Sequence, residues 1–142
     1  MKLSLPWPPS VNHYYRRVGP RTLISREGRE YRRAICGLLA GSGNREPPRT
    51  GRIALAMDAF PPDRRRRDLD NLLKSTQDSL AHAGAFEDDS QIDMLIVRRC
   101  APRKPGHADI QILDLPLQTC PLCGNLFTKI TKITEITEPE TE

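Results

Sequence analysis

The chain has 142 residues, enough for one domain with a real core and too few for two comfortable ones. Its formal charge of +4 is uneven: residues 1–115 hold 20 Lys and Arg against 14 Asp and Glu, a net of +6, whereas residues 116–142 hold 2 Lys against 4 Glu, a net of −2. Of the 22 basic residues 17 are Arg, whose planar fork matches phosphate oxygens, so the composition leans toward a nucleic-acid partner. No apolar run approaches the roughly 20 residues of a spanning helix, and Pro6, Pro8 and Pro9 break any secretory signal. A membrane location is therefore not expected. The four cysteines (Cys36, Cys100, Cys120, Cys123) read as reduced thiols of a cytoplasmic protein.

Leu3, Leu5 and Trp7 alternate with polar or small residues, predicting a short strand stopped by Pro8-Pro9. Residues 10–24 read as a basic, aromatic-bearing loop. Ser25 suits a helix N-cap, and Tyr31, Ala34, Ile35, Leu38 and Leu39 follow helical spacing behind it. Ile53, Leu55, Met57 and Ala59 alternate as a second strand. A second helix is predicted from about Asp68, with Leu69, Leu72, Leu73, Thr76 and Leu80 on one stripe and the intervening polar residues turned outward. Residues 92–99 and 108–113 read as two further strands, joined as an antiparallel hairpin. The order β-α-β-α-β-β predicts an α+β fold, a small mixed sheet with two covering helices, within residues 1–115. One sheet surface is left to bury, so a homodimer is expected. Residues 116–142, ending in "TKITKITEITEPETE", read as a low-complexity, unordered tail.

The chemistry concentrates in "PDRRRRDLDNLLKSTQDSLAHAGAFEDDSQID", Pro62 to Asp93. On a helix, Asp70 and Lys74 stack one turn apart, away from the leucine stripe. Asp68 precedes the helix, and Asp88-Asp89 precede a strand that must return alongside it. Carboxylates brought to one point repel unless they share protons or a cation, and a hard divalent cation takes oxygen ligands of this kind. Such a metal could activate a phosphodiester, with Lys74 stabilising developing charge and the arginines attracting a polyanion. A plainer reading stands beside this one: an N-cap at Asp68, an exposed Asp70–Lys74 pair, a solvated arginine run and a polar turn.

Three stretches, "LPWPPSVNHYYR", "PDRRRRDLDNLLK" and "DSLAHAGAFEDDSQI", resemble the RusA family of Holliday junction resolvases of phages and prophages, in order over nearly all of residues 3–114. The resemblance implies a small mixed α/β homodimer that cuts four-way junction DNA with Mg²⁺ (or Mn²⁺), making paired nicks, in a bacterial cell or phage-infected host. Carried over by position, it implies metal-binding aspartates at Asp68, Asp70 and Asp89 and a catalytic lysine at Lys74. A non-catalytic junction-binding protein of the same fold is the rival, and flap or fork preference is a third reading.

Asn12, Tyr14, Tyr15, Arg16 and Arg17 could stack on bases or clasp phosphates, alongside Arg64, Arg65, Arg66 and Arg67. The alternative is that one tyrosine packs beneath the loop. Trp7 reads as core or an interface anchor, and His13, His82 and His107 have no ligand spacing. "CPLCG" at residues 120–124 is half of a zinc knuckle.

Overall fold

The computed structural model describes residues 1–41, 47–115 and 122–124. In chain order these form β1 (Lys2–Pro6), α1 (Val11–Tyr14), β2 (Tyr15–Val18), β3 (Arg21–Ile24), α2 (Arg26–Gly41), β4 (Ile53–Phe60), α3 (Asp70–His82), a 3₁₀ turn (Asp89–Gln91), β5 (Ile92–Arg99) and β6 (His107–Asp114). No helix among the described residues is long and apolar enough to cross a membrane. Most of the proposed tail, including Cys120, lies outside the described residues. Cys36, Cys100 and Cys123 are free thiols.

Four strands make a mixed sheet in the order β1-β6-β4-β5. The α+β class and the mixed sheet agree with the reading of the sequence; the pairing of the last two strands does not. β5 lies parallel to β4 and β6 antiparallel to it, on its other side. The reason is the connection: a helix between two adjacent strands returns the chain to the same end and makes them parallel. With that edge of β4 filled by β5, β6 takes the other and accepts β1 outside it.

Alternation along the strands sends Leu5, Ile53, Leu55, Met57, Ala59, Ala108, Ile110 and Ile112 to one face, where they are buried beside Tyr31, Ile35, Leu72, Leu80 and Phe86. Burying each large side chain there contributes roughly 1.5–3 kcal/mol. The opposite face is mixed and partly exposed, with Ala54, Ala56, Met94 and Ile96 sharing it with polar and charged pairs. Ser4 donates to Asp109 at 2.7 Å, Arg98 grips Asp58 with two bonds of 2.6 Å, and Phe60 stacks on His107 with ring centroids 4.5 Å apart.

Residues 10–24 are not a loop. They form α1 and a two-stranded hairpin, β2–β3, turned at Gly19 (φ +58°) and Pro20. Its strands are largely exposed and arginine-bearing, so they lack the apolar alternation that marks a half-buried strand. α2 begins as expected: the Gly28 N–H donates to Ser25 Oγ at 3.0 Å. A side chain at Gly28 would sit 2.6 Å from the Tyr14 carbonyl oxygen and 2.8 Å from Ile24 Cγ2, so glycine here lets α2 cross α1 and β3 closely. Tyr31 and Ile35 are buried as the spacing implies, but Ala34 and Leu38 are exposed.

α3 starts at Asp70, two residues later than expected. Its inward face holds Leu72, Thr76 and Leu80 but also Ser75 and Ser79, against the expectation that polar residues point outward. Small hydroxyls allow close packing, and each is satisfied: Ser75 Oγ donates to the Pro9 carbonyl at 2.7 Å, and Ser79 Oγ lies 3.1 Å from the Tyr14 hydroxyl. The helix ends in a Schellman motif. Ala85 N–H donates to Leu80 O and Gly84 N–H to Ala81 O, both at 3.0 Å, with Gly84 at φ +84°. That stop drops Phe86 into the core and starts the return toward β5.

Candidate active site

The return segment is fixed by one buried amide. Gln91 Oε1 accepts from the backbone N–H groups of Glu87 and Asp88 at 2.8 and 2.9 Å, while Nε2 donates to the carbonyls of Arg49 and Gly51, both at 2.8 Å. All hydrogen-bonding capacity of that side chain is spent on backbone, which ties the 3₁₀ turn to the start of β4. Asp88 caps the turn, accepting from Ser90 N–H at 2.9 Å, and the Ser90 bonds hold its carboxyl below the usual range. Asp88 is thereby occupied structurally, and Asp89, the next residue, faces α3.

Lys74 Nζ lies 2.8 Å from Asp89 Oδ2 and 2.8 Å from Asp78 Oδ1. The hydrogen bonds to Asp78 and then to Asp89 push its pKa well up, so the ammonium is permanent. Asp78 accepts a further short bond from the Tyr15 hydroxyl. Burial first, and then that bond, push the Tyr15 phenol up to about 12, so it serves as a donor throughout the physiological range. The result is a chain of contacts, Tyr15–Asp78–Lys74–Asp89, linking the hairpin, α3 and the 3₁₀ turn.

Asp78 was missed in the sequence. Lys74 has a carboxylate four residues away on each side, at Asp70 and Asp78, and spacing alone allows either. The structure pairs it with Asp78. Gln91 was missed too, although "DDSQ" carries the Asp-x-x-Gln pattern of a capping box.

Asp68 and Asp70 are exposed at the head of α3 and make no ion pair or hydrogen bond among the described residues. The sequence suggested that they would converge with Asp89. Among the described residues no group of three His, Cys, Asp or Glu side chains is placed to share a metal ion. The geometry shows why: Asp89 is drawn onto Lys74, and Asp70 lies one helical turn before that lysine, about 6 Å along the axis. The donor set itself suits a hard cation. It is all carboxylate oxygen, Asp68 and Asp70 are unengaged, and Asp89 keeps Oδ1 without a partner among the described residues.

The arginine run divides. Arg67 is neutralised by Asp63, with bonds of 2.6 and 3.1 Å, and its guanidinium lies 5.8 Å from the Trp7 ring centroid. Asp63 also accepts from the Arg65 N–H at 2.9 Å, and Arg65 Nε stands 3.8 Å from it. Arg67 first, then the Arg65 N–H, hold the Asp63 carboxyl down to about 2. Arg64 and Arg66 are exposed and unpaired among the described residues. Arg66, Arg67 and Asp68 border a groove of about 340 Å³ that Trp7 and Ser10 also line. Trp7 is partly buried against the core, in line with the core reading.

The aromatic pair also divides. Tyr14 is fully buried, with its hydroxyl on Ser79 and accepting from Arg32 Nε at 2.5 Å. It cannot stack on a base, and its assignment as a DNA contact is corrected: this is the tyrosine that packs beneath. Tyr15 is partly buried with its hydroxyl committed to Asp78, whereas Asn12, Arg16 and Arg17 are exposed.

Comparison with known proteins gives a family match, described as "Endodeoxyribonuclease RusA", across residues 6–113. The chain is 38% identical over 117 residues to the crossover junction endodeoxyribonuclease of Enterobacteria phage 82, covering 80% of this chain and 93% of that protein. It is 40% identical over 111 residues to the protein of that name from Enterobacteria phage HK97, covering 78% and 92% respectively. The corresponding protein of Escherichia coli K12 is 38% identical over 117 residues. The match spans β1's end to β6, and with it every residue of the Tyr15–Asp78–Lys74–Asp89 chain, so this protein belongs to the RusA family of endodeoxyribonucleases.

Proposed function

We propose that this protein is a Mg²⁺-dependent endodeoxyribonuclease, with Mn²⁺ able to substitute, that resolves four-way DNA junctions by paired symmetric nicks in recombination and repair. Family membership implies a divalent metal ion, and Asp68, Asp70 and Asp89 would hold it. When bound, such a cation polarises the phosphodiester and activates the attacking water. The chain's own residues do the rest. Arg64 and Arg66 lead directly into Asp68, so they draw a phosphate backbone to an otherwise acidic site. Lys74, held by Asp78 and Asp89, presents a fixed positive charge toward the negative charge that grows on the reacting phosphate. Tyr15 and Asp78 fix the position of that ammonium.

The observation that carries the reading is the Lys74 ammonium held 2.8 Å from each of two carboxylates, one turn along α3 from Asp70, which like Asp68 has no partner among the described residues. A stability role alone gives no reason to leave Asp68 and Asp70 unengaged next to it. The protein is proposed to act as a homodimer, because a four-way junction is pseudo-two-fold symmetric and two equivalent sites supply both cuts. The partly exposed sheet face, and Met94 and Leu95 at 39% and 41% exposure on edge strand β5, offer surface for the second copy. A cytoplasmic location in a bacterial or phage-infected cell follows from that substrate.

The test is incubation with a synthetic four-way junction in Mg²⁺ or EDTA, read on a denaturing gel. Symmetric nicks in Mg²⁺ alone are expected. Tight junction binding without nicks would instead favour a non-catalytic junction-binding protein of the same fold.

A further inference from the structure

Several arginines in this fold are answered by a carboxylate: Arg26 by Glu30, Arg49 by Asp114, Arg52 by Asp93, Arg67 by Asp63 and Arg98 by Asp58. One concave surface gathers four that are not. Between the β2–β3 hairpin and α2 lies a shallow groove of about 790 Å³, lined by Arg16, Arg29, Arg32 and Arg33 with no acidic residue among its walls. Arg29 donates to the Ile24 carbonyl at 2.8 Å and Arg32 to the Tyr14 hydroxyl at 2.5 Å. Both acceptors are neutral, so both charges stay uncompensated while the side chains are held in place. Arg16 and Arg33 make no ion pair or hydrogen bond among the described residues. Arg17 and Arg21, also unpaired there, extend the positive surface along the hairpin.

Four uncompensated guanidinium groups around one concave surface repel one another, and a polyanion relieves that repulsion. The distance to the acidic cluster is also informative. His82, in the last turn of α3, lines the groove, whereas Asp70 opens the first turn of the same helix. The helix rise between them spans about 18 Å, or roughly five phosphates along one DNA strand at about 3.4 Å each.

We propose that this groove is a second phosphate-backbone site, separate from the carboxylate cluster, that grips a duplex arm of the DNA about five nucleotides from the scissile bond. The inference rests on the proposed junction-cleaving function for its choice of ligand. Arg29 and Arg32 are the pre-positioned contacts, and Arg16 and Arg33 close on the backbone from either wall.

The test is fluorescence anisotropy in EDTA, with a labelled four-way junction and a labelled linear duplex, over a series of salt concentrations. Arg16→Ala/Arg33→Ala removes two groups with no protein partner among the described residues, and circular dichroism checks the fold. The slope of log affinity against log salt is expected to become shallower by about 2, since each lost phosphate contact removes about 0.9, with affinity for both DNAs falling at least tenfold. Arg26→Ala/Arg52→Ala, which takes the same charge from ion pairs with Glu30 and Asp93, should leave the slope unchanged. An unchanged slope in the groove variant overturns the proposal, whether the groove then binds an acidic protein segment or nothing; so does an equal loss in the Arg26/Arg52 variant, which would mark a bulk-charge effect. Failure of the wild type to nick a junction, with the slope change intact, would sink the resolvase reading and leave the groove standing.

Discussion

Asp78→Asn isolates the positioning of Lys74 from its charge. The substitution keeps an oxygen for the Tyr15 hydroxyl, so the hairpin stays anchored, and it removes one of the two carboxylates 2.8 Å from Lys74 Nζ. Two bare charges at about 4 Å near a surface attract by about 4 kcal/mol. The Lys74 side chain is 51% exposed, however, and solvent screening reduces the pair to about 0.2–1 kcal/mol of stability. Thermal unfolding should therefore shift by only a few degrees. Cleavage should suffer more. With Asp78 gone the ammonium relaxes toward Asp89 alone, and a misplacement of about 1 Å in a catalytic group costs up to about 10²-fold. We expect single-turnover cleavage of a four-way junction at saturating enzyme to fall about 10- to 100-fold, with junction affinity in EDTA within about twofold of wild type. Lys74→Ala, which deletes the charge, sets the floor at about 10²–10³-fold. A wild-type rate in Asp78→Asn would refute the idea that Asp78 positions Lys74. A parallel loss of binding and folding would reduce Asp78 to a structural residue.

Asp70→Asn should abolish cleavage in Mg²⁺ while leaving junction binding intact or tighter, because one negative charge near the phosphates is gone; substantial cleavage by the variant excludes Asp70 as a ligand. Gly28→Ala should destabilise the fold by about 1–3 kcal/mol, since the new methyl meets the Tyr14 carbonyl at 2.6 Å and backbone must move; a denaturant midpoint equal to wild type would contradict the close approach. Asp63 should titrate near 2 by NMR, and Arg67→Ala should return it toward 3.8. A depressed folded-state pKa stabilises the fold above the unfolded value and loses that contribution as pH falls from 3.8 through about 2, so the anchoring of Arg65 and Arg67 on Asp63 fails only in strong acid. Truncation after Leu115 should leave folding and cleavage nearly unchanged, because β6 ends at Asp114 and the backbone bond from Leu115 N–H to Arg52 O at 3.0 Å is retained; loss of activity on truncation would give the tail a role.

What the sequence made legible were the elements with one buried face. β4 and β6 alternate cleanly because one side packs under helices, and α3 shows its Leu72, Thr76 and Leu80 stripe for the same reason. The hairpin was illegible because it buries almost nothing: Arg16, Arg17, Arg21 and Thr22 are exposed, and no alternation can mark a strand that lacks an inside. Ser75 and Ser79 were misread because residue type says little where a helix packs closely on another segment and each hydroxyl finds a partner. The strand order was lost to sequence adjacency, since β5 and β6 are neighbours in the chain but are separated by β4 in the sheet. At the site, spacing identified Lys74 as a neighbour of carboxylates. It could not choose between Asp70 and Asp78, because that choice depends on Tyr15, which approaches from 63 residues away.

The arginines give the most direct link from sequence to function. A run such as Arg64 to Arg67 has the same composition whether it is solvated, internally neutralised or held ready for a polyanion. Only the fold distinguishes these states, and it assigns different ones within four residues: Arg67 is spent on Asp63, whereas Arg64 and Arg66 are left beside Asp68. The same sorting applies across the molecule. Carboxylates answer arginines along β4 and β5, where Asp58 meets Arg98 and Asp93 meets Arg52, and are absent from the walls of the hairpin groove. An arginine pair closed by a carboxylate contributes little to either stability or binding at a surface. An unanswered cluster raises the energy of the free protein and lowers that of a complex with phosphate, so it is a term that only the ligand makes favourable. The acids follow the converse rule. Asp58, Asp63 and Asp93 are spent on arginines, Asp88 on a backbone cap, and the two left unengaged at the head of α3, Asp68 and Asp70, are the ones beside the lysine that the fold clamps between two carboxylates.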